Sequence, residues 1–122
     1  MDKKPIILVI DDEIVNFILI EESLIHLDFQ LYHSPNGKIG LELYENLKPD
    51  LIFLDIRMPI MNGYEVAKQI RVNDKTTPIV AQTAYNQREE TDLALDVGCN
   101  QIIIKPLTSK IINKIVAEIF KK

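Results

Sequence analysis

Four short motifs hold the residue types in this sequence that are able to do chemistry. Asp11 and Asp12, with Glu13 next, follow the apolar run PIILVI. Asp55 closes LIFL and leads at once into IRMPIMNG. Thr83 and Ala84 follow PIVAQ, and QIIIK ends in Lys105, before Pro106. A carboxylate at the end of a buried segment needs partners, because a charge leaving water loses a large solvation energy. Three acids held together repel one another and call for a cation. Hard oxygen ligands with room for water suit Mg²⁺, which often shares its shell with a phosphate. A carboxylate is also a competent nucleophile and forms an acyl phosphate. In that chemistry the metal and the Lys105 ammonium would neutralise the incoming phosphoryl group. The Thr83 hydroxyl would donate a hydrogen bond to it once attached.

Taken singly, each residue has an ordinary role. Asp11 and Asp12 suit a helix N-cap and first turn. Asp55 suits the start of a turn before Pro59. Thr83 reads as a strand-end hydroxyl, and Lys105 as a solvated lysine. Their joint significance depends on the elements that carry them. Five apolar runs, PIILVI, FQLYH, LIFL, PIVAQ and QIIIK, recur at intervals of roughly 20 to 30 residues, the spacing of strand–helix units. Four are almost continuously apolar, as expected of strands covered on both faces. FQLYH is more mixed and reads as an edge strand. Between them lie helical patterns. From Glu13 to Leu27, Ile14, Phe17, Ile18, Leu24 and Ile25 repeat at helical spacing, and from Asn36 to Leu47 the stripe is Ile39, Leu43 and Leu47. Asn62 with Glu65, and Asn86 with Glu89, have capping-box spacing, and Gly98 suits a helix end. A last helix begins near Thr108.

This alternation implies an α/β fold with a parallel sheet and right-handed crossovers. In such sheets ligands bind at the carboxyl ends of the strands, where the strand order reverses. All four motifs fall at strand ends, so the three carboxylates, the hydroxyl and the ammonium are expected in one cleft.

Composition narrows the function classes. The chain has 122 residues, enough for one domain, and 47% are hydrophobic, enough for a core without staples. The single cysteine, Cys99, excludes an internal disulfide framework and fits a reducing compartment. No apolar run approaches a membrane span and the N-terminus is unlike a signal peptide, so a cytoplasmic protein is expected. Net charge is −4 with no basic stripe, which disfavours direct nucleic-acid binding. The scattered glycines Gly37, Gly40, Gly63 and Gly98 form no nucleotide loop. His26 and His33 lack clustered ligand partners, and Met58, Met61 and Tyr64 read as packing around the turn.

With DD at Asp11–Asp12, DIRMPIMNG from Asp55, TA at Thr83–Ala84 and KP at Lys105–Pro106, in that order, the sequence resembles the response-regulator receiver domain of two-component signalling across its whole length. The resemblance implies a doubly wound five-stranded parallel sheet of order 2-1-3-4-5 with five helices, as one domain over residues 1–122. It implies that Asp55 is phosphorylated. Asp12, Asp11 (partly through water), Asp55 and the Arg57 backbone carbonyl would hold Mg²⁺. Thr83 would be the switch hydroxyl and Lys105 the partner of Asp55 or its phosphate, with a cis bond before Pro106, an isomer accessible to an X–Pro peptide. Gly63 matches the glycine of the turn after the phosphorylation site. The implied donor is a phosphohistidine on a sensor histidine kinase or a histidine phosphotransfer protein. The implied response is a changed surface on the fourth helix, fifth strand and fifth helix. Later hydrolysis would be catalysed in part by the domain itself, which is otherwise not an enzyme.

Two departures qualify that resemblance. Ile102 stands where receivers commonly carry an aromatic switch residue, so aromatic switching is not expected. Gln82 is polar for its strand. Arg57 and Tyr85 are large and flank the site, and their bulk is expected to shade the phosphoryl group from water. The alternative function is a phosphorylation-independent interaction domain. A phosphohydrolase or flavin carrier is a remote third class: the hydrolase lacks a second acid near Asp55, and flavin absorbance on purification would test for the carrier. A receiver dimer, a fused output domain, or excision from a hybrid sensor kinase (which PIVAQTAYN resembles) are all compatible with the chain.

Overall fold

The computed structural model describes residues 4–84 and 88–121. Five strands form one parallel sheet: β1 (Ile6–Ile10), β2 (Gln30–Ser34), β3 (Leu51–Asp55), β4 (Ile79–Thr83) and β5 (Gln101–Ile104). Their order is β2-β1-β3-β4-β5, as expected. The helices between and after them are α1 (Ile14–Ser23), α2 (Gly37–Leu47), α3 (Gly63–Asn73), α4 (Arg88–Asp96) and α5 (Ser109–Ile119). The order reverses at β1: the chain leaves it toward β2 and returns on its other side as β3. The ends of β1 and β3 therefore flank the switch point.

Strand alternation divides the apolar residues between two cores. Leu8, Ile10, Ile52, Leu54, Ile79 and Ala81 pack with Val66, Ala67 and Ile70 of α3 and Ala94 of α4. Ile7, Val9, Leu51, Phe53, Val80 and Ile103 pack with Ile20 of α1 and Ile112, Ile115 and Val116 of α5. Both faces are covered, which is why the strand sequences read as unbroken apolar runs.

Local signals set the helix starts. Asn62 and Glu65 form the expected capping box on α3. Asn36 caps α2 by accepting from Ile39 N, and Thr108 caps α5 by accepting from Ile111 N. Gly98, past α4, has φ +107°, a conformation that favours glycine. Asn86 lies outside the described residues.

Two helical stripes differ from expectation. α1 ends at Ser23 rather than Leu27. There Leu24 N is shared between Ile20 O and Glu21 O, and the Ser23 hydroxyl is tied to Leu19 O and to Ser109 on α5. Leu24 is buried beneath this looser turn, while Ile25 is 78% exposed. On α2 the buried positions are Gly37 and Gly40, not Ile39. A Cβ at Gly40 would meet Ile10 at 2.8 Å, so the helix seats on the sheet through its glycines and turns Ile39 outward.

Candidate functional site

Asp55 is the last residue of β3 and is 2% exposed. Asp11 follows β1 and is fully buried, while Asp12 beside it is exposed. One carboxylate oxygen from each of Asp11, Asp12 and Asp55 lies within 4.8 Å of the others. Lys105 reaches in from the end of β5, with Nζ 3.3 Å from Asp55 Oδ1, 4.0 Å from Asp11 Oδ2 and 3.8 Å from Glu13 Oε1. The peptide between Lys105 and Pro106 is cis, and Lys105 N donates to Thr83 O, joining the ends of β4 and β5.

Asp11 also organises the entry to α1. Its carboxylate accepts from Glu13 N at 2.8 Å and Asn16 Nδ2 at 3.0 Å. The N-cap of α1 is Glu13, with no side-chain cap hydrogen bond, so Asp11 and Asp12 precede the helix and do not cap it as expected. His33 Nε2 lies 2.8 Å from Asp11 O, and its ring stacks on Phe17. On the other side, Gly63 lets α3 start directly against the end of β3. A Cβ there would lie 2.5 Å from the Asp55 carbonyl oxygen.

Among the described residues, the negative charges at this site outnumber the positive ones. Burial, then the Asp11 charge, push the Asp55 carboxyl up to about 7, against a smaller opposing pull from Lys105. Burial also raises Asp11, opposed by Glu13 N, Lys105 and Asn16. One lysine among three acids leaves excess negative charge. A divalent cation among these oxygens would favour the charged carboxylates, as a nucleophilic aspartate requires. Three hard oxygen donors at this spacing fit Mg²⁺.

Thr83 is fully buried at the end of β4, and its hydroxyl is directed to a residue the sequence did not single out. Its Oγ1 lies 3.3 and 3.4 Å from the two carboxylate oxygens of Glu90, on the first turn of α4. Glu90 is 7% exposed and also takes Arg57 Nε at 3.0 Å and Tyr64 OH at 3.5 Å. Arg57 N donates to Asp55 Oδ1 at 3.4 Å, but its side chain turns toward α4. The Arg57 side chain is itself 58% exposed.

Ala84 is exposed beside Thr83, and Tyr85 lies outside the described residues. Ile102 is half-buried against the α3 side of the sheet. Gln82 pairs in register with Asp55 and is fully buried, and neither polar atom of its side chain has a hydrogen-bond partner among the described residues. The missed residues left weak marks. Glu90 sits in an REETD segment that reads as a solvated acidic helix start, and only the fold turns it inward. His33, set aside as lacking clustered ligand partners, is brought beside Asp11 by its place in β2 next to β1.

Residues 7–117 match the family model described as the response regulator receiver domain. The alkaline phosphatase synthesis transcriptional regulatory protein PhoP of Bacillus subtilis is 33% identical over 122 residues, 100% of this chain and 50% of that protein. The chain spans about half or less of the length of the curated relatives it matches. A two-component response regulator from Clostridium difficile superposes with TM-score 0.91 at 28% identity, covering 98% of each chain. So does a chain from the complex of the Saccharomyces cerevisiae histidine phosphotransfer protein Ypd1 with the receiver domain of its response regulator Ssk1. There the TM-score is 0.85 at 27% identity, covering 97% of this chain and 90% of that one. No helix among the described residues is long and apolar enough to cross a membrane.

Proposed function

The chain belongs to the response regulator receiver domain family of two-component signalling, and from that premise we propose that Asp55 is its phosphoacceptor. The observation that carries this reading is the convergence of Asp11, Asp12, Asp55 and Lys105 at the sheet's switch point. A phosphohistidine on a sensor kinase or phosphotransfer protein supplies the phosphoryl group, as the partnership named for Ypd1 and Ssk1 suggests. The phosphorus–nitrogen bond breaks, leaving its electron pair on the imidazole, and an Asp55 carboxylate oxygen bonds to phosphorus.

Asp11, Asp12, Asp55 and the Arg57 carbonyl would hold Mg²⁺, which when bound neutralises charge on the phosphoryl oxygens. Lys105 moves from Asp55 to a phosphoryl oxygen and holds charge there. The Thr83 hydroxyl donates to another. The added charge and acceptor oxygens then bias a two-state surface. Ile102 leaves that switch without an aromatic rotamer. We read residues 1–122 as one receiver unit acting in the cytoplasm, with its autodephosphorylation slowed by the bulk of Tyr85, the Arg57 side chain being turned instead to Glu90 on α4.

Ile102 favours a second reading, a receiver-like interaction domain that works without phosphorylation. Intact mass after incubation with Mg²⁺ and acetyl phosphate separates the two. Gain of one phosphoryl group by the parent, and none by Asp55→Asn or in EDTA, supports the phosphoacceptor. No gain in the parent, even with a cognate kinase, overturns it and leaves the interaction domain.

A further inference from the structure

Glu90 is a buried carboxylate that the proposed phosphoryl chemistry does not use. It is the point where three elements meet α4: Thr83 from the end of β4, Arg57 from the loop after β3, and Tyr64 from α3. Tyr64 OH also lies 3.4 Å from the Glu90 carbonyl oxygen, so the grip extends to the helix backbone. The rest of α4 is lightly held. Its buried residues are Glu90 and Ala94, and Leu93 and Leu95 are 44% and 48% exposed. A groove lined by Ile56, Arg57, Tyr64 and Glu90 runs between α4 and the loop after β3. The first turn of this helix is therefore tethered by polar contacts more than by an apolar face.

A threonine hydroxyl has one proton to donate. Directed at Glu90, it is withheld from an acceptor on Asp55. We propose that Glu90 is the resting-state acceptor of the Thr83 hydroxyl, and that a phosphoryl group on Asp55 must take that proton from it. Glu90 is thus a positioning residue: it sets how strongly phosphorylation is resisted and ties that resistance to α4. When Thr83 turns to the phosphoryl oxygens, Glu90 loses one of the donors that hold it. α4 is then held by fewer contacts and is released to shift. This inference rests on the phosphoacceptor reading of Asp55.

The test is the affinity of Mg²⁺-loaded protein for beryllofluoride, a stand-in for the phosphoryl group, measured by calorimetry. The proteins are the parent, Glu90→Gln, Glu90→Ala, and each variant combined with Thr83→Ala. Glu90→Gln keeps the shape of the side chain but accepts a weaker, uncharged hydrogen bond, and it decides the matter if Glu90→Ala does not fold. The expected result is binding about fivefold tighter in Glu90→Gln and about tenfold tighter in Glu90→Ala, in line with one charge-assisted hydrogen bond. With Thr83→Ala the gain from either change shrinks to under about twofold, because the two sites are coupled only through the hydroxyl. Unchanged affinity in the Glu90 variants overturns the proposal. So does an equal gain with and without Thr83, which would reduce Glu90 to a distant negative charge. If the parent binds no beryllofluoride, the phosphoacceptor reading itself falls, and the competition falls with it.

Discussion

Asp55 and Asp74 lie at opposite ends of the sheet, and their surroundings treat the same side chain in opposite ways. Asp74 follows α3 at the amino-terminal end of β4. Its carboxylate accepts from Tyr44 OH and Thr77 Oγ1, both at 2.6 Å, and from Thr76 N and Thr77 N at 3.0 Å. Those donors, the Thr77 and Tyr44 hydroxyls foremost, hold its carboxyl well below the usual range. The Tyr44 phenol is pushed up to about 12 by burial and by that partner. Close by, the buried Arg71 guanidinium donates to Gly98 O, Asp74 O, Thr77 O and Asn100 Oδ1. Asp55 has Lys105 at 3.3 Å and two further acids, and is pushed the other way. One end of the sheet is satisfied by the chain alone. The other gathers three acids around one lysine among the described residues, an arrangement a divalent cation would balance. The lesson is that stability and chemistry are assigned to opposite ends of one sheet.

The comparison breaks most visibly at Arg71. Arg71→Met leaves four acceptors around a buried side chain without their donor and lowers stability by about 3 kcal/mol. Phosphoryl uptake per folded molecule stays unchanged. Urea unfolding read beside intact mass checks both halves.

Next come the two aspartates. At pH 8 in EDTA, Asp55→Asn raises unfolding free energy by about 1–3 kcal/mol, and Asp74→Asn lowers it by about 1–2 kcal/mol. The pH profiles give the reason. Asp55 has a folded pKa near 7 against an ordinary 3.8, so between those values the native state binds more protons than the unfolded one. Its contribution is fully present below about pH 3.8 and is lost as pH rises toward 7. Asp74 is depressed, so its contribution is present above 3.8 and is lost as pH falls below it. Asp55→Asn therefore removes the decline between pH 4 and 7, and Asp74→Asn leaves that decline in place. Two profiles of the same slope in that window would erase the distinction.

A smaller effect sharpens it further. Mg²⁺ at ten times its dissociation constant stabilises the parent by about 1.4 kcal/mol. Asp74→Asn keeps that gain and Asp12→Ala loses most of it, as thermal melts with and without the ion would record. The smallest change is Tyr44→Phe, which removes one donor from Asp74 and costs about 1 kcal/mol, with Mg²⁺ stabilisation intact.

Much of this was legible in the sequence because the relevant signals are local. The apolar runs, the Asn62 and Glu65 capping box, Gly98 and the motifs closing the strands each depend on a few neighbouring residues. The order β2-β1-β3-β4-β5 came through the family resemblance, not through the alternation of elements. What stayed hidden depends on tertiary contact. Ile39 fits a helical apolar stripe, yet the close approach of Gly37 and Gly40 to the sheet turns it outward. Leu24 and Ile25 fit the α1 period, but the Ser23–Ser109 contact accompanies an earlier end. Glu89 and Glu90 are identical neighbours in sequence, and only the orientation of α4 buries the second one. The network around Asp74 escaped for the same reason: Tyr44 and Asp74 are thirty residues apart.

Among the described acidic residues, the buried carboxylate of Asp55, pushed up to about 7, is the one proposed to take the phosphoryl group. The most direct test of that assignment is to react the protein with acetyl phosphate and Mg²⁺, reduce the acyl phosphate with borohydride, and map the product by peptide mass. Homoserine is expected at position 55 alone, and none when Mg²⁺ is chelated. Homoserine at another aspartate, or at position 55 regardless of Mg²⁺, would contradict it.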